Sequence, residues 1–92
     1  MSARKNREQL RQVAALQIRD ARSITGVSQM KLAQLMQVSQ PLVSSWECGR
    51  VTPSIDDIIG IETALQLDAG SLLSGIAAAL NTPTTLVSAD NY

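Results

Sequence analysis

Apolar residues recur at helical spacing from Leu10 onward: Leu10, Val13, Ala14, Ile18 and Ala21 keep the i, i+3, i+4, i+7 rhythm, and Gln17 alone breaks it. The pattern predicts a first helix over about Arg7 to Ile24. Gly26 suits the left-handed residue that closes it, and Ser28 offers a capping hydroxyl for the next start. A second helix follows from Gln29 to Met36, burying Leu32, Ala33, Leu35 and Met36. Ser39 is again a cap, with Pro41 in the first turn where its missing N–H costs little. The third helix, Gln40 to Glu47, sets Leu42, Val43 and Trp46 on one face and Gln40, Ser44 and Ser45 on the other. Gly49 stops it. Ser54 and Asp57 form a capping box for a fourth helix, Ile55 to Leu65, striped by Ile55, Ile58, Ile61 and Leu65. Asp68 stands as cap to a fifth, Ala69 to Leu80, whose bulk lies in Leu72, Leu73, Ile76 and Leu80 and whose small residues would let another helix approach closely. Beyond it Thr84, Thr85 and Val87 are β-branched but have no helical period, so the tail is either a short edge strand or disordered.

This is one small all-α domain. Residues 1–8 read as a flexible basic arm, 9–80 as the domain and 81–92 as a tail. Hydrophobic residues make up 45% of the chain but aromatics only 2%, so Leu, Ile, Val, Ala and Met must build the core. The absence of His and the single Cys48 leave no zinc cluster and no His-activated nucleophile, so neither an enzyme nor a cofactor is expected. The unpaired Cys48 fits a reducing, cytoplasmic setting. The basic N-terminus lacks the apolar stretch of a signal peptide. The longest apolar run, Ile76 to Leu80, is far short of the roughly 20 residues of a membrane span.

The zero net charge conceals a dipole. The first fifty positions hold all eight basic residues against three acidic ones, a net +5, and the rest holds five acidic residues and no base, a net −5. Such asymmetry points one half of the chain at a polyanion. Within that half, two short helices, each opened by a Ser and separated by three residues, describe a helix-turn-helix over 29–47. From Ile18 to Leu73 the ordered features Ser28-Gln29, Leu32-Ala33, Val38-Ser39-Gln40, Trp46-Glu47-Cys48-Gly49-Arg50, Pro53-Ser54 and Ala64-Leu65 resemble the phage repressor and Cro-like, or XRE-type, helix-turn-helix family. That resemblance implies a compact five-helix lambda-repressor-like bundle with the third helix presented to the DNA major groove. The chain departs from the family at Gln37 and Gln66, where Gly is common, and at Cys48, where a polar residue often touches phosphate.

The outward residues of the motif then take roles. Gln40 opens the recognition helix, and its amide can pair with adenine N6 and N7. Ser44 and Ser45, one turn on, reach a base edge or a phosphate, and Pro41 meets a thymine methyl. Gln29, with the free N–H groups of its helix end, suits a phosphate, as do Arg50, Lys31 and, after its capping role, Ser39. Resemblance to the family pairs Arg22 with Glu47 as an ion pair that orients the third helix. Trp46 is a core anchor.

The reading is therefore a sequence-specific, double-stranded-DNA-binding transcriptional regulator, a dimeric phage or prophage-type repressor on a two-fold symmetric operator. Leu72, Ile76, Ala79 and Leu80 of the fifth helix would form the homodimer interface, or else that helix simply closes the core. Two rivals stand beside it: an antitoxin that also holds a toxin through its C-terminal tail, residues 81–92, or the face of the fifth helix, and a helical interaction module that does not bind DNA.

Overall fold

The computed structural model describes residues 3–81, with side chains from residue 6, and comprises five helices: α1 (Ala3–Ile24), α2 (Gln29–Met36), α3 (Gln40–Glu47), α4 (Ile55–Ala64) and α5 (Ser71–Asn81). No strand occurs among the described residues, and the tail, for which a strand or disorder was expected, lies outside them.

Three serines start the middle helices as the sequence dictates. Ser28, Ser39 and Ser54 sit in extended backbone, and their hydroxyls accept from the N–H of Lys31 (3.0 Å), Leu42 (3.2 Å) and Asp57 (3.0 Å). Asp57 returns the favour to the Ser54 N–H at 2.9 Å, completing the capping box. The closures of α2 and α4 share one geometry. Gln37 and Gln66 adopt left-handed backbone at φ 59° and 57°, while the N–H of Val38 reaches Ala33 O at 3.0 Å and that of Leu67 reaches Glu62 O at 2.8 Å. Holding an L-residue there costs roughly 1–2 kcal/mol. Gln66→Gly is therefore expected to stabilise the fold by about 0.5–1 kcal/mol, after the extra entropy of an unfolded glycine is subtracted. A raised urea midpoint for Gln66→Gly, with Gln66→Ala unchanged or lower, checks it.

The core gathers around Trp46, Ile18, Leu32, Ile61 and Val43, each 0% exposed. Helix α1 packs on α3 and α5, α2 on α3 and α4, and α4 on α5. Four expectations are corrected. Helix α1 begins at Ala3, so most of the supposed arm is helical: Arg, Lys, Gln and Glu are good helix formers and no breaker interrupts them. Leu35 and Ile55, expected inside, are 47% and 56% exposed, because α2 and α4 turn those positions away from their neighbours. Helix α5 starts at Ser71 rather than Ala69, and Asp68 is not the side chain that caps it. Leu72 and Ile76 are 4% and 2% exposed within a single chain, and Ala79 and Leu80 are half-buried. At Gly75 the close neighbour is the chain's own α1, where a Cβ would lie 2.8 Å from Gln17 Oε1, while Ser74, Ala77 and Ala78 are exposed. Leu72 and Ile76 thus close the core and are not an open dimer surface.

The cap of α5 comes from α4. Glu62, 5% exposed, accepts the N–H groups of Gly70 (2.8 Å), Leu72 (2.9 Å) and Leu73 (3.2 Å), the orphan donors of a helix start. These bonds outweigh burial and hold its carboxyl below the usual carboxylate range.

Candidate nucleic-acid interface

The site is built where three elements converge. Trp46 and Val43 fix the inner face of α3 in the core, leaving Gln40 and Pro41 exposed and Ser44 and Ser45 half-buried on its outer side. Pro41 stands in the first turn, and the Ser39 hydroxyl oxygen accepts the capping bond while the residue stays exposed. Arg50 and Lys31 are exposed on either side.

At the inner end of α3, Glu47 is 4% exposed. Arg22, in the last turn of α1, meets it in a two-pronged pair: Nε donates to Oε2 at 2.6 Å and Nη2 to Oε1 at 2.9 Å. Its third nitrogen, Nη1, donates to Val27 O in the α1–α2 turn at 2.9 Å. Burial pushes the Glu47 carboxyl up, but hydrogen bonds from Arg22 and Gln29 and the charges of Arg22 and Arg19 outweigh it, so the group lies below its ordinary range. The hydrogen bond to Glu47 in turn raises Arg22.

Gln29, at the start of α2 where a phosphate contact is expected, is also a bridge: Nε2 donates to Glu47 Oε1 at 3.0 Å, and Oε1 accepts from Gln40 Nε2 at 3.3 Å. A continuous path therefore runs from the ion pair to the outward amide of Gln40. Nothing in the spacing of Gln29, Gln40 and Glu47 announces it, since it depends on how α2 and α3 cross. The Ser45 hydroxyl donates to Pro41 O at 2.9 Å, and Ser44 Oγ lies 3.9 Å from Cys48 Sγ. With its proton spent inside the helix, Ser45 faces outward as an acceptor.

A helix start lined with free N–H groups, a short exposed helix carrying amide and hydroxyl groups, and flanking cations form the working parts of a groove reader. The helix-turn-helix family model matches residues 18–72. The chain belongs to that family. Within it the turn is Gln37 to Ser39 and the recognition helix is α3. Two solved chains of the clp gene regulator ClgR from Corynebacterium glutamicum are similar to this helix-turn-helix protein, each 26% identical with a TM-score of 0.70. One match covers 79% of this chain and 95% of that of ClgR, the other 89% and 83%. No curated protein matches the sequence significantly. A helix-turn-helix chain of this XRE type is a DNA-binding regulator of transcription and not an enzyme. Among the described residues no His, Cys, Asp and Glu converge into a metal-binding group, and no helix is long and apolar enough to cross a membrane.

Proposed function

We propose that the protein is a repressor of the phage or prophage type that binds a two-fold symmetric operator as a homodimer and, lying across a promoter, excludes the polymerase. Such a protein works in the cytoplasm, where the DNA is. The observation that supports this reading most directly is Gln40: exposed at the first position of α3, with its amide steadied by Gln29. In the major groove that amide pairs with adenine N6 and N7. Pro41 meets a thymine methyl, and Ser45, an acceptor in this rotamer, suits an exocyclic amino group better than a phosphate. Gln29 and the start of α2, with Lys31, Ser39, Ser44 and Arg50, hold the backbone.

A single recognition helix of eight residues spans only part of a site, so the reading requires a second copy about one turn of DNA away. Its interface is not the buried pair Leu72 and Ile76. Selection from a random duplex library, followed by binding to the winner and a scrambled duplex across about 50–200 mM salt, tests the proposal. Enrichment of a palindrome is expected, with a steep salt slope and a loss of about 1–3 kcal/mol for Gln40→Ala, confined to one base pair per half-site. No enrichment, or a monomer in sedimentation with operator present, would sink it.

A further inference from the structure

Helices α4 and α5 leave between them an apolar groove of about 300 Å³, walled by Ile55, Ile58 and Ile59 on one side and by Ala69, Gly70 and Leu73 around the start of α5 on the other. Ile58 is buried, whereas Ile55, Ile59 and Leu73 stay exposed. Single aliphatic side chains scattered over a surface need no explanation, but three of them gathered on two neighbouring elements mark a place where something apolar can bind. The one charged residue in the wall, Glu62, has its carboxylate oxygens bound to the N–H groups of Gly70, Leu72 and Leu73. No side chain of the groove is left seeking a polar partner, so it suits an aliphatic occupant and not a polar ligand.

Charge and reach select that occupant. Residues 51–92 hold five acidic residues and no base, and Asp56 and Asp68 adjoin the groove residues Ile55 and Ala69. A second copy meeting this face across a two-fold axis would bring like charges together. Residues 82–89, by contrast, carry no charge and supply Leu86 and Val87, the first aliphatic residues beyond α5. Along α5, Leu73 and Asn81 are about 12 Å apart at 1.5 Å per residue. The stretch from Asn81 to Leu86 spans at most about 17 Å when extended, enough to come back to Leu73, and it contains Pro83, which cannot carry a helix on. The way back passes Ala77, exposed one turn beyond Leu73, where a lone methyl group leaves room. We infer that Leu86 and Val87 of the same chain seat in the α4–α5 groove and clasp the start of α5 against α4. On so short a tether the tail meets its own groove at a millimolar effective concentration, ahead of any copy in solution. None of the groove residues is offered to DNA, so the clasp stands or falls apart from the reading of an operator.

Nuclear magnetic resonance of the methyl-labelled 92-residue chain tests it. Overhauser contacts are expected from the methyl groups of Leu86 or Val87 to those of Ile55, Ile59 or Leu73. Replacing both tail residues, Leu86→Asp with Val87→Asp, should abolish these contacts and speed amide exchange at Leu73 by about tenfold or more, because the seated tail adds to the cost of opening α5. The methyl resonances of Ile18 and Val43 should hold, showing an intact core; should the variant fail to fold, the wild-type contacts decide alone. Absence of the contacts in the wild type, or unchanged Leu73 exchange in the folded variant, overturns the inference. So does a contact seen only between labelled and unlabelled copies in a mixed sample, which gives the groove to the tail of a second protomer.

Discussion

Glu47→Ala is expected to lower the unfolding free energy by about 3–5 kcal/mol, as breaking one side of a buried ion pair does. The Glu47 side chain is 3% exposed and that of Arg22 18%, so the guanidinium left behind has little water to turn to. Two of its N–H groups and the amide of Gln29 lose their acceptor together. Arg22→Ala should cost a similar amount by stranding the carboxylate. Replacing both by methionine should recover most of the loss, because an apolar pair carries no desolvation penalty. Urea unfolding followed by far-ultraviolet circular dichroism reads all four proteins. A loss under about 1 kcal/mol for Glu47→Ala would show that the pair is worth no more than a surface bridge.

Glu62→Ala carries the second large effect, about 3 kcal/mol, since three N–H groups at the start of α5 lose their shared acceptor and unmet buried donors cost roughly 1–3 kcal/mol each. Water reaching the exposed Gly70 offsets part of this. Helix α5 should loosen first, visible as faster amide exchange at Leu72 and Leu73 than in α2. The same group makes stability depend on pH. Its folded carboxyl lies below the ordinary value, as does that of Glu47, so both stabilise the fold above the unfolded pKa of about 4.3 and stop doing so as pH falls through their folded values. The urea midpoint should hold from neutrality to about pH 5 and drop below it. Glu62→Gln should flatten part of that drop; an unchanged acid limb would refute the assignment.

What the sequence made legible is what a few neighbouring residues decide. The serine caps and the capping box at Ser54 and Asp57 are bonds within a few positions, and the residue types announce them; the left-handed closures at Gln37 and Gln66 are signalled only by the resemblance to a family in which Gly is common there. Apolar spacing also located the inner faces around Ile18, Val43 and Ile61. It could not say what covers a face: the small stripe of α5 suited a second protomer as well as α1, and the structure places α1 against Gly75 and buries Leu72 and Ile76 within the chain. Nor could the apolar rhythm, which begins at Leu10, show that α1 starts at Ala3. Glu62 was the one site with an unread signal, an acidic residue between the inward Ile58, Ile61 and Leu65 of α4, where a carboxylate must find donors. The bridge through Gln29 had none.

Arg22 joins α1, the carbonyl of Val27 and the end of α3 through one planar group. Because the guanidinium is planar, its three bonds tie the α1–α2 turn and the end of the recognition helix to α1, and the ordering cost expected on docking falls mainly on exposed side chains and on the duplex. Encounter is then governed by how the positively charged half of the chain is drawn toward phosphate from a distance, and the association rate, rather than any folding step, sets how quickly a site is filled.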